Sequence, residues 1–221
     1  MVEHQSLRIA VLGGTGKEGS GLAMRWAMNG YNIIIGSRDG ERAAAHAAEM
    51  NIKLGKNQLA GMGNPEAASQ ADLVVLSVPY AAHHATLEGV KEQLQGKILI
   101  DITVPLQPPK VRTVHLPEGK SAALEAQALL GEGVKVVAAF QNVSAEQLVD
   151  PNHTVDCDVL VCGNDAEARA TVIKLVEGTG MKGVDAGSLA NAIAIEAFTP
   201  VLLWINKAYG IKSSGIRITG I

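Results

Sequence analysis

Cysteine is scarce in this 221-residue chain: only Cys157 and Cys162 occur, five residues apart in one apolar run. On a strand that spacing points them to opposite faces, which excludes a disulfide between them and leaves two buried free thiols. Six scattered histidines, with no cysteine or carboxylate at ligand spacing, give no dedicated metal site. Charge of one sign is also lacking. The 19 Lys and Arg against 22 Asp and Glu sum to −3, so no basic excess exists to hold nucleic acid. The opening MVEHQS has no apolar signal core, and we find no run of membrane-spanning length. Together these absences point to a cytoplasmic protein with small-molecule ligands and neither nucleic-acid nor membrane partners.

What is present is 47% hydrophobic residues, enough for a real core in one domain plus an appendage. Residues 7–38, LRIAVLGGTGKEGSGLAMRWAMNGYNIIIGSR, read as strand, glycine turn, helix and second strand in one run. The apolar 7–12 segment stops at a glycine cluster that puts Gly14, Gly16 and Gly19 at GxGxxG spacing. In such a turn Gly14 permits the bend, Gly16 lets backbone approach a pyrophosphate, and Gly19 lets the helix pack on the strand. The helix N-terminus adds unpaired N–H groups for phosphate. Leu22, Ala23, Trp26 and Ala27 recur at helical spacing, and Asn29-Gly30 ends the helix.

The end of the second strand selects the dinucleotide. An NAD site carries an acidic residue there, whereas this chain has Ser37 and Arg38, with Arg42 one helical turn beyond, which suits a 2′-phosphate. Two other readings stay open: Arg38 and Arg42 as surface charges paired with Asp39 and Glu41, and an NAD site using Asp39.

Apolar runs and helical segments keep alternating to residue 186, the pattern of a Rossmann-type, doubly wound α/β fold with a mainly parallel sheet. The strand at 73–78 ends in Ser77, Val78, Pro79 and Tyr80, at the edge where ligands lie. The next helix, expected over 81–94, carries His83 and His84 as a surface pair. Asp101 and Thr103 share a face at the end of the 97–103 strand, with hydrogen bonds to the following loop as their expected role. Two roles stay open for the proline-rich loop 104–120: a stiffened lid and a dimer contact. Ser121 is expected to cap the 122–130 helix. The strand over 134–140 delivers Gln141, Asn142, Val143 and Ser144 to the glycine edge, with Ser144 opening an SAEQ capping box. A helix over 165–177 is expected to open at Asn164, after a strand centred on 158–161.

From residue 188 the character changes to a small C-terminal helical segment, one long apolar helix containing Pro200 and a glycine-punctuated tail. We expect 1–186 to be the NADP-binding domain and 187–221 to make substrate and dimer contacts, the exposed apolar helix making a homodimer. Lys207, Lys212 and Arg217 give the tail a cationic character. No lysine–asparagine pair one helical turn apart stands in the long helix, and there is no Ser/His/Asp arrangement and no CxxC. One reaction class needs no side-chain catalyst: hydride transfer between two planar cofactors held about 3 to 3.5 Å apart.

The run AVLGGTGKEGSGLAMRWAMNGYNIIIGSR, with VLSVPY, VVAAFQNVSA, DVLVCGNDAEA, VDAGSLANA and the terminal GIRITGI, resembles the NADP oxidoreductases that depend on coenzyme F420, nearly end to end. The resemblance implies a homodimeric enzyme passing hydride reversibly between NADPH and the deazaflavin F420. It places Thr15, Lys17 and Glu18 around the pyrophosphate, Ser37, Arg38 and Arg42 at the 2′-phosphate, and Val78, Pro79 and Ala145 at the nicotinamide. It places Gln141, Val143, Gly215 and Ile216 against the deazaflavin, and offers the acidic groups of F420 to Lys207, Lys212 and Arg217. The family often has a histidine where this chain has Gln141; glutamine donates a hydrogen bond to a ring carbonyl but does not titrate near neutral pH. Two alternatives stand beside this reading: an NADPH-dependent reductase of a flavin, imine or carbonyl, with Asp101, Thr103 or His84 as proton donor, and a non-catalytic NADP(H)-sensing protein.

Overall fold

The computed structural model describes residues 7–221, so MVEHQS and the start of the expected 1–186 unit lie outside the described residues. In chain order the elements are β1 (Arg8–Leu12), α1 (Lys17–Met28), β2 (Asn32–Ser37), α2 (Gly40–Leu54), β3 (Leu59–Gly63), α3 (Asn64–Gln70), β4 (Leu73–Leu76), α4 (Tyr80–Glu88), α5 (Lys91–Leu94) and β5 (Ile98–Asp101). They continue with α6 (Ala122–Leu130), β6 (Lys135–Ala138), α7 (Ala145–Leu148), β7 (Asp158–Gly163), α8 (Ala166–Glu177), β8 (Lys182–Asp185) and α9 (Ala192–Tyr209).

The strands form one sheet in the order β3-β2-β1-β4-β5-β6-β7-β8, parallel except where β6 meets β7. Register aligns Gly36, Leu12, Leu76, Asp101 and Ala138 in one row across five strands. That row is the carboxyl edge, and the order reverses between β1 and β4, where ligands of this architecture lie. Alternation along each strand divides the core. Ile9 and Val11 face Leu22 and Trp26 of α1, Met50 of α2 and Val172 of α8, while Ala10 and Leu12 face Ala67, Leu87, Ala126 and Ile195. Cys157 falls in the first cluster and Cys162 in the second, and both thiols are free.

Several sequence expectations need correction. The single helix over 81–94 is two, because the chain leaves the helix at Gly89 and restarts after Val90. Asp165, not Asn164, opens α8, its carboxylate accepting the Ala168 N–H at 2.7 Å, while the Asn164 side chain accepts from Leu189 N. Ser144 precedes α7 but makes no side-chain cap, the helix being a single turn. Ser121 does cap α6, at 3.2 Å from Leu124 N. Finally, Leu189–Tyr209 is long and apolar enough to cross a membrane by length and composition, contrary to the count above. Its contacts tie it to the domain: both Glu196 carboxylate oxygens accept backbone N–H groups at the start of α6, and the Thr199 hydroxyl donates to the Gln141 carbonyl.

Candidate functional site

The glycine turn is built from backbone. Gly13 takes the positive φ of the bend, +78°, and a Cβ there would stand 2.2 Å from the Ser77 carbonyl oxygen. A Cβ on Gly14 would meet the Val11 carbonyl at 2.7 Å, and one on Gly19 would meet Gly14 Cα and Ser77 Oγ at 3.0 Å, so strand, turn and helix are in direct contact. Gly16 is different: it is exposed, its nearest neighbour would be 3.4 Å away, and as N-cap of α1 it offers no side-chain acceptor. The first N–H groups of α1 are therefore free to meet an anion. Lys17 flanks them and reaches Glu146 of α7 at 2.8 Å. Glu18 is half-buried, and desolvation pushes its carboxyl up to about 8, which lowers the negative charge facing that anion near neutral pH.

At the end of β2, Asp39 is occupied as the N-cap of α2, accepting the Arg42 N–H at 3.1 Å, and its own N–H donates to Ser37 Oγ. The cap engages Oδ1 alone and fixes the Asp39 side chain at the strand end. Arg38 and Arg42 are exposed and make no ion pair among the described residues, so the pairing with Asp39 and Glu41 is not found. Beside Arg38 opens a groove of about 410 Å³ between Ser37, Asn64 and the small side chains of Ala81, Ala82 and Ala85. Asn64 was not singled out in the sequence; it is buried, and its Oδ1 has no partner among the described residues. Its only sequence signal is an Asn-Pro at the end of β3, one strand over from Arg38.

Val78 comes to the turn from the end of β4, its Cγ1 lying 2.8 Å from the Cβ position of Gly13, while Pro79 is exposed. Gln141 follows β6 through Phe140, a non-glycine residue at φ +73°, and is buried. Its Nε2 donates to the Asp101 carbonyl at 2.8 Å, and its Oε1 has no partner among the described residues. The amide thus leaves an acceptor unsatisfied. Asn142 Nδ2 donates to the Asp158 carbonyl at 2.7 Å and contacts Cys157 Sγ. The tail is stitched to the same place, with Asp158 N donating to Ile216 O at 2.8 Å and Ile218 N to Asp158 Oδ2 at 2.7 Å. A Cβ on Gly215 would fall 2.8 Å from Cys157 Sγ. Gln141, Gly215 and Ile216 are thereby joined through Asn142, Cys157 and Asp158, with Val143 buried and Ala145 half-buried on the same connection. Lys207 stands exposed in the last turn of α9. Arg217 is not free, since it pairs with Asp156 and Asp158.

Two further buried groups escaped sequence reasoning. His83 is not a surface residue: it is 2% exposed and its Nε2 lies 2.7 Å from Asp101 Oδ2, whose other oxygen accepts Thr103 N at 3.0 Å. His84, its neighbour, is exposed beside Glu88. Glu196 is 1% exposed, and burial pushes its carboxyl up to about 8 against the two N–H groups that favour its charge. Neither had a sequence signal, because the partners lie 18 and more than 70 residues away.

The profile of the family described as NADP oxidoreductase, coenzyme F420-dependent, matches residues 8–105. The chain is 40% identical over its whole length to the F420-dependent NADP reductase of Methanothermobacter thermautotrophicus, covering 98% of that protein. It is 43% identical to the F420-dependent NADP reductase of Methanocaldococcus jannaschii, over 97% of this chain and 99% of that one. Among solved structures, a candidate F420-dependent NADP-reductase from Arthrobacter sp. FB24 superposes with TM-score 0.82 at 30% identity, over 97% of this chain and 100% of the other.

Proposed function

The chain belongs to the coenzyme F420-dependent NADP oxidoreductase family, and from that membership we propose how its own residues carry the family's reaction. It is an NADP-dependent oxidoreductase that transfers hydride reversibly between NADPH and F420. When bound, the two cofactors supply the redox chemistry, so the protein's work is placement and exclusion of water.

The observation that carries the residue assignment is the α1 N-terminus without a side-chain cap, facing the same edge as two arginines that make no ion pair among the described residues. Gly14, Thr15, Gly16, Lys17, Glu18 and Gly19 hold the pyrophosphate. Ser37, Arg38 and Arg42 hold the 2′-phosphate through charge-assisted bonds. Val78, Pro79 and Ala145 line the nicotinamide. Gln141, Val143, Gly215 and Ile216 receive the deazaflavin, and Lys207 stands toward its acidic chain. Gln141 Nε2 gives one of its two N–H donors to Asp101 O, so the amide keeps a second donor and the Oε1 acceptor for the deazaflavin. Arg217, spent on Asp156 and Asp158, acts by fixing the tail.

The 1–186 segment is read as the NADP domain and 187–221 as the segment that completes the acceptor side. The protein works as a cytoplasmic homodimer, supported by the exposed Phe198, Trp204 and Tyr209 on and at the end of α9. Light scattering of the eluting protein checks the dimer. The deciding experiment mixes the protein with NADPH and oxidised F420 and follows the deazaflavin absorbance, with FMN, FAD and NADH as controls. Bleaching with F420 and NADPH is expected; NADPH binding without bleaching overturns the acceptor assignment.

A further inference from the structure

A cavity of about 500 Å³ begins beside Thr15 and Lys17 at the glycine turn and continues over α1, between α2 and the chain just after α7. Its walls are largely apolar, from Met24, Met28, Leu54 and Pro151, and Lys53, in the last turn of α2, is part of the lining. The volume is that of a small-molecule site, and the extent from Lys17 to Met28 is about 16 Å at the helical rise.

The walls are preformed by specific contacts. On one side the Arg25 guanidinium, 5% exposed, donates to the carbonyls of Gln147, Asp150, His153 and Thr179 at 2.8–3.2 Å, which pins the 147–153 segment onto α1. On the other side His46 Nε2 and Ser20 Oγ are 2.8 Å apart, joining α2 to α1. Ser20 Oγ also lies 2.7 Å from the Gly14 carbonyl. A carbonyl only accepts, so Ser20 donates to Gly14 and His46 donates to Ser20, which makes His46 the Nε2–H tautomer and runs an ordered chain from the cavity wall to the glycine turn. Burial pushes the His46 imidazole down, in keeping with a neutral ring. Of the two lysines in the lining, Lys17 is engaged by Glu146, while Lys53 makes no ion pair among the described residues.

The geometry points to a second ligand site in this cavity, for an elongated apolar molecule with one terminal carboxylate placed at Lys53, whose occupancy is felt at the glycine turn through His46 and Ser20. Met24 and Met28 suit such a guest, since an unbranched thioether adapts to a chain of variable shape. The site owes nothing to the identity of the hydride acceptor; only its coupling to NADPH rests on the reading above.

Decanoate, kept below its micelle concentration, is the probe. With methionine methyls labelled by carbon-13 in the intact protein, the expected result is a saturable shift of the Met24, Met28 and Met50 signals, with Met62 and Met181 unmoved. Decanol should bind about fivefold more weakly, and Lys53→Gln should abolish that preference. Absence of saturation, shifts shared by Met62 and Met181, or equal affinity for decanol and decanoate in the wild type overturns the site. A second titration measures NADPH affinity with and without decanoate. A change of about threefold or more that disappears in Ser20→Ala is expected; an unchanged affinity with the methyl shifts intact removes the coupling and leaves the site. Failure of F420 bleaching alters neither readout.

Discussion

Gly13, Gly14, Gly16 and Gly19 present backbone to whatever binds above them, whereas Gln141, Asn142, Asp101 and Thr103 present side chains, on the same sheet edge. The glycine side holds no buried polar side chain at the turn itself: its donors are N–H groups, fixed by φ, ψ and helix position. The Gln141 side is a buried network fed by β5, β6, β7, α9 and the tail, with Gln141 Oε1, Thr103 Oγ1 and Asn142 Oδ1 left without partners. A tight backbone turn is broken by an added atom, whereas a side-chain network is weakened by the loss of a partner.

Gly13→Ala tests the first half of that contrast and carries the largest expected effect. A positive φ and a 2.2 Å approach to the Ser77 carbonyl should cost more than about 3 kcal/mol in denaturant unfolding and abolish NADPH binding. Retention of both would mean that the turn is not held by contact with β4. Arg38→Ala comes next, with NADPH affinity falling about 10- to 100-fold and NADH affinity little changed, as measured by fluorescence titration. Equal losses for both would return the arginine to the surface-charge reading. On the other side, Gln141→Ala should lower turnover with F420 about tenfold while NADPH affinity holds. A loss of NADPH affinity instead would place Gln141 on the donor half.

The two raised carboxyls separate the halves by pH. Glu196, buried, titrates near 8 in the folded chain against an ordinary 4.5, so its folded form binds the proton more tightly. Its stabilising contribution is complete below 4.5 and drains away as pH rises to about 8. Glu196→Gln should flatten the fall in urea midpoint across that window, leaving a smaller slope from Glu18, whose solvent contact moderates its share. The smallest effect is kept for Glu18→Gln: wild-type NADPH affinity should weaken as pH passes 8, when the Glu18 charge appears beside the phosphates, and the variant should lose that dependence. An unchanged profile in Glu18→Gln would assign the dependence elsewhere.

The alternation of apolar runs and the glycine spacing determined the sheet and its strand–turn–helix start, and the basic end of β2 carries the proposed 2′-phosphate contact. All three are local: a turn, a cap and a strand end are fixed by residues within a few positions of one another, so their chemistry is written where they occur. Even there, spacing was incomplete: Gly14 is required in the turn as expected, and the close approach of the Ser77 carbonyl just beyond β4 makes Gly13 a further required glycine. Tertiary structure alone decided that His83 turns inward to Asp101, that Glu196 caps α6, that Gln141 gives an N–H to the Asp101 carbonyl, and that Arg217 belongs to Asp156 and Asp158. Each of those bonds joins segments brought together only when the two sheet faces are covered. A buried polar group takes whatever partner the packing supplies, and sequence spacing carries no record of that choice.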